Sequence, residues 1–99
     1  MKFEFGRIIS LIISMRSDLN QAGVNFLLAD LDLATTFLDL AQTSRNEETV
    51  RRNHNNARTA YDAVVRLSRN LTPEPAQRRT IDEKLALLKT LLQAVGQQF

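Results

Sequence analysis

Four arginines, Arg51, Arg58, Arg66 and Arg69, come closest in type and spacing to a chemical task. On a helix they share one outward stripe with Asn55 and Asp62, and rows of guanidinium groups are a means of neutralising a phosphate backbone. Asp62 stands four residues from both Arg58 and Arg66, the spacing of helical ion pairs, so the stripe reads first as solvated surface and second as a nucleic-acid contact. His54 lies in the run Asn53 to Asn56 with no H-E-x-x-H or E-x-x-H companion, which makes it a polar helix-edge residue rather than a metal ligand. Asp32 and Asp39 share a helix face but are about 10 Å apart, too far to share a proton or an ion. Tyr61 has no placed acid-base partner and reads as a core tyrosine whose hydroxyl reaches the rim. Glycine-rich phosphate loops and nucleophile motifs are absent. With no cysteine in the chain, disulfides, thiolate catalysis and cysteine-ligated zinc are excluded. No catalytic residue, cofactor or metal ligand is assigned, and a non-enzymatic protein is expected.

The elements that carry these residues are helical. The chain has 99 residues, 43% of them hydrophobic and 24% charged, the composition of one folded domain. Only three Gly and two Pro occur, and both prolines lie at positions 73 and 75, which leaves long segments free of helix breakers. The central stretch is Asn53 to Leu71, in which Ala57, Ala60, Tyr61, Val64, Leu67 and Leu71, with Val50 before them, recur at helical steps and require apolar partners on two neighbours. Before it, Leu27, Leu31, Ala34, Leu38 and Ala41 line one face, and Phe26, Leu33, Phe37 and Leu40 are expected to widen that same face. Ser44 to Glu47 has the spacing of a capping box, and Asn46 followed by Glu47 and Glu48 is an alternative cap. After Pro73, either Thr72 or Thr80 caps a third helix, with a start near Pro73 preferred, and its core row is Ile81, Leu85, Leu88, Leu92 and Val95. Gly96 is the expected stop. Formal charge is +2 overall but runs +2, −4, +3 and +1 over residues 1–17, 18–44, 45–71 and 72–99, so neighbouring helices of opposite sign attract modestly.

Residues 1–17 admit two readings. As a helix, Phe5, Ile8, Ile12, Met15 and Leu19 share a face; as a strand, Phe3, Phe5, Ile9, Leu11, Ile13 and Met15 do. No second strand exists to pair with it, so helix is preferred. Ser17, Asp18 or Gly23 would separate it from the helix that follows. Its apolar run is too short for a secretory signal or a membrane span, and the chain reads as soluble and cytoplasmic. Left uncovered, Ile8, Ile9, Ile12 and Ile13 would be an aggregation hazard, so the segment is expected to pack as a fourth element or to self-associate, with the apolar surface extending to Phe99.

The stretch DLDLATTFLDLA, followed by NARTAYDAVVRL and a leucine-rich closing helix, resembles the alanine-and-aromatic helical hairpins of tetratricopeptide-like and MIT-like (microtubule-interacting and transport) modules. Ala34, Ala41, Ala57 and Tyr61 carry the resemblance, over residues 25–95. It implies a peptide or helix bound in the groove between helices, and no catalytic residues. The expected fold is all-α: an antiparallel three-helix bundle with helices at about 25–43, 47–71 and 74–95 and an additional N-terminal helical segment, one domain over 1–99. The expected role is a protein-protein interaction or assembly module whose partner is a protein or a second copy in a homodimer; the alternative is a small regulatory protein that binds nucleic acid through the arginine stripe.

Overall fold

No proline interrupts the first 43 residues, and from Lys2 to Thr43 the backbone is one uninterrupted helix. The computed structural model describes the backbone of residues 2–99 and the side chains of residues 6–99, so the expected roles of Phe3 and Phe5 lie outside the described side chains. Helix α1 runs Lys2–Thr43, α2 Glu47–Ser68 and α3 Pro75–Ala94, with no strand among the described residues. The all-α bundle is as the periodicity requires, but the separate N-terminal segment is not: Ser17, Asp18 and Gly23 all sit inside α1. An interior glycine costs only about 1 kcal/mol, and Gly23 is used for close approach instead. A Cβ on it would lie 2.8 Å from one methyl of Leu71 and 3.0 Å from the other.

The α1–α2 turn is short and well capped. Asn46 is the N-cap of α2, its side chain accepting from the Thr49 N–H at 3.0 Å, while Ser44 Oγ accepts from the Asn46 N–H at 3.2 Å. Ser44 therefore braces the cap rather than forming the capping box. Glu47 and Glu48 fill the first turn, where the helix dipole favours negative charge.

Helix α2 stops at Ser68, earlier than the expected Leu71, and α3 starts at Pro75 with Glu74 as N-cap rather than at Pro73 with Thr72. Gln77 Oε1 accepts from the Glu74 N–H at 3.1 Å, and Thr80 lies within the helix, its hydroxyl donating to the Ala76 carbonyl. The linker is held instead by α1. Asn20 Nδ2 donates to the Thr72 carbonyl at 3.0 Å, and Asn20 Oδ1 accepts from the Thr72 N–H at 2.8 Å and from its hydroxyl at 3.2 Å. One side chain thus satisfies both backbone groups of a residue between two helices. Asn20→Ala is expected to lower stability by about 0.5–1.5 kcal/mol, the net worth of an intramolecular hydrogen bond, since Thr72 is exposed and water replaces the lost partner; Asn20→Asp, which keeps only the acceptor, should recover part of that in a urea titration.

The core consists of Val24, Leu27, Leu31, Ala34 and Leu38 from α1, Ala57, Ala60 and Val64 from α2, and Ile81, Leu88 and Leu92 from α3. Small residues on α2 let α1 approach it closely. Several expected core residues lie further out: Phe37, Tyr61, Leu71 and Leu85 are half-buried, and Phe26, Leu33, Leu40, Leu67 and Val95 are exposed. Helix α3 closes as the glycine predicts. Gly96 takes φ 95°, its N–H bonds the Gln93 carbonyl, and the Gln97 N–H reaches Leu92, the Schellman pattern. Among the described residues, the ion pair between helices joins α3 to α1, Lys84 Nζ meeting Asp32 Oδ1 at 2.6 Å.

The molecule measures 67 × 22 × 18 Å, and its long dimension is α1, about 63 Å at 1.5 Å per residue. Helices α2 and α3 cover only its second half. Residues 6–19 are exposed throughout and project as an arm, so the segment is not a fourth packed element.

Candidate interaction surface

Helix α1 carries two apolar stripes, turned roughly 130° from one another around its axis. The inner one, Val24, Leu27, Leu31, Ala34, Leu38 and Ala41, is buried against α2 and α3. The outer one, Ile8, Ile12, Met15, Leu19, Phe26, Leu33 and Leu40, runs along the arm and on past the bundle with exposures from 48% to 70%. Phe26 lies about 200° around the helix from Val24 and about 100° from Leu27, so the centre of the outer set is turned roughly 130° from that of the inner one. Ile9, Leu11 and Ile13 flank the outer stripe and are also exposed. Single exposed apolar side chains are ordinary; here they recur along one side of α1 from Ile8 to Leu40.

The expected isoleucines, Ile8, Ile9, Ile12 and Ile13, are thus brought together on the arm. The expected arginines are not brought together as a free stripe. Arg58 Nε pairs with Asp62 at 3.1 Å, its Nη1 donates to the Gln98 carbonyl, and its guanidinium lies 3.8 Å from the centre of the Phe99 ring. Phe99 in turn stands edge-on to Tyr61, ring centroids 5.0 Å apart, with Lys89 Nζ at 5.3 Å. The turn at Gly96 sends the chain back toward α2 and delivers Phe99 there, so Phe99 covers Tyr61 rather than extending the apolar surface of the arm. Arg66 and Arg69 are exposed, and Arg51 lines an open pocket of about 400 Å³ with Ser44, Arg45, Glu47, His54 and Gln97 among its walls.

His54 is half-buried at that pocket, and Asn53 is half-buried without a side-chain hydrogen bond among the described residues. No group of three or more His, Asp or Glu side chains among the described residues is placed to hold a metal ion. No helix among them is long and apolar enough to cross a membrane.

Two further concavities adjoin the outer stripe on the α2 side. One, about 260 Å³ and almost wholly apolar, is walled by Gly23, Phe26, Leu27, Leu67, Asn70 and Leu71. The other is an open groove of about 340 Å³ between Asp30 and Phe37 of α1 and Asn56, Thr59, Ala60 and Ala63 of α2. Neither was visible in the sequence, because both depend on which face of α1 meets α2. The chain matches no family model, no curated protein and no solved structure.

Proposed function

We propose that this chain is a non-enzymatic helical module for protein-protein interaction or assembly, acting through the outer surface of α1. One observation carries the reading: the arm and the outer stripe expose large apolar side chains at helical intervals from Ile8 to Leu40, on a helix whose other apolar face supplies its share of the core. Burial of such a band against a partner helix is the usual source of helix-helix affinity. The groove between α1 and α2 lies beside the band, and in the tetratricopeptide-like and MIT-like modules that the sequence resembles, such a groove takes a peptide or helix. The nucleic-acid reading has less support, because Arg58 is engaged by Asp62, Gln98 and Phe99 and only Arg51, Arg66 and Arg69 remain outward.

Light scattering on the full chain and on a version lacking residues 1–17 tests the proposal. The cut removes most of the arm but leaves Asn20, its bonds to Thr72 and the core, which begins at Val24. The expected result is an assembled full chain and a folded, monomeric shortened one. A monomer in both cases would overturn the assembly reading.

A further inference from the structure

We infer that the outer stripe of α1 pairs with the same stripe of a second copy, antiparallel and along its whole length. The inference rests on the assembly reading and names its partner. Ile12, Leu19, Phe26, Leu33 and Leu40 recur every seven residues, and Ile8, Met15, Ala22, Ala29 and Thr36 recur every seven between them. Such a repeat, with steps of three and four, is the seam of a coiled coil, and here it faces away from the protein's own core.

Residue sizes select the direction. A parallel pair would set Phe26 and Leu19 against themselves and Ala22 and Ala29 against themselves, alternating crowded layers with empty ones. An antiparallel pair sets the first series against the second, and in the middle layers large side chains then face small ones, as close packing requires. Phe26 meets the partner's Ala22, and Leu19 meets the partner's Ala29. At the ends, Leu40 meets the partner's Ile8 and Leu33 meets the partner's Met15. This register alone covers the stripe from Ile8 to Leu40, and a shift by one heptad leaves one end bare.

The flanks agree. On the α2 side, Arg16 comes beside the partner's Asp30, and among the described residues neither has an ion-pair partner within its own chain. Ile9 comes beside the partner's Phe37, at the groove lined by Ala60 and Ala63. On the α3 side, Asp18 comes near the partner's Asp32, whose charge Lys84 offsets at 2.6 Å. The seam is about 50 Å long and about 10 Å wide, a footprint on the order of 500 Å² per copy before side-chain relief, approaching the roughly 800 Å² of a standard interface.

The chain lacks cysteine, so single thiols report this geometry directly. Leu19→Cys and Ala29→Cys both fall at exposed positions and leave the core intact. The two full-length variants, mixed and air-oxidised, are expected to yield chiefly the disulfide between position 19 of one and position 29 of the other, identified by mass and lost in denaturant. Two copies of position 29 would lie about 15 Å apart along the axis, beyond the ~7 Å limit between Cα atoms for a disulfide. A dimer whose Ala29→Cys chains cross-link to each other overturns the antiparallel pairing and leaves the assembly reading standing. A monomer by light scattering overturns both.

Discussion

Leu31→Ala is expected to destabilise the bundle by about 2–5 kcal/mol, a drop in Tm of roughly 10 °C or more for a domain of this size. Leu31 is 1% exposed and belongs to the one cluster that joins all three helices, with Ala57, Ala60 and Val64 from α2 and Ile81 and Leu88 from α3. Its side chain cannot be replaced by a neighbour moving in, because the α2 residues in that cluster are small and the two helices are already close. The truncation therefore leaves a cavity as well as losing transfer energy. Leu33→Ala is the internal control. It removes the same atoms two residues further along the same helix, at a site 48% exposed on the opposite face. In dilute protein its effect should stay within about 0.5 kcal/mol, as for other surface changes. Urea titrations of both variants at low concentration would read the contrast. Equal losses would mean that the outer stripe supports the fold of the single chain.

That contrast also marks what the sequence could and could not show. The inner stripe was legible because Leu27, Leu31, Ala34, Leu38 and Ala41 follow a helical period that polar residues do not interrupt, and so were the cap at Asn46 and the stop at Gly96. Phe26, Leu33 and Leu40 follow the same period with a different phase, and a list of apolar positions does not say which phase meets α2 and α3. They therefore read as a wider core face when they form a second face. The continuity of α1 was hidden by Gly23, which resembles a boundary until Leu71, brought from 48 residues away, is seen against it. Asn20 and Thr72 are 52 residues apart, and no local pattern links a half-buried asparagine to the backbone of a distant linker. The arginine stripe misled for a similar reason, since Arg58 is claimed by Phe99 only after the reversal at Gly96.

Replacing Ile9 and Ile12 together with serine is expected to convert the assembled protein to a monomer while leaving the fold of that monomer intact. Both side chains are exposed in the single chain, 43% and 48%, and touch none of its core, so their loss removes no packing from it. Isoleucine and serine have similar helix propensities, so little else changes in an arm that the bundle does not depend on. In the antiparallel pair the same two residues are buried, Ile12 in the seam and Ile9 against the partner's Phe37. Burying one large aliphatic side chain is worth roughly 1.5–3 kcal/mol, and each change occurs twice in a symmetric pair, so association should weaken by several orders of magnitude. The melting temperature supplies a second readout. A chain that folds and pairs melts higher as its concentration rises, and that dependence should vanish in the double variant. Leu11→Ser is the comparison that gives the result its meaning. Leu11 is 61% exposed, more than either isoleucine, yet it lies on the α3-side flank, where the pairing sets it beside the partner's Asp39. Its replacement should leave the mass unchanged. Loss of assembly in Leu11→Ser as readily as in the double variant would point to unspecific clustering of a greasy arm, whereas loss confined to Ile9 and Ile12 would require one defined face.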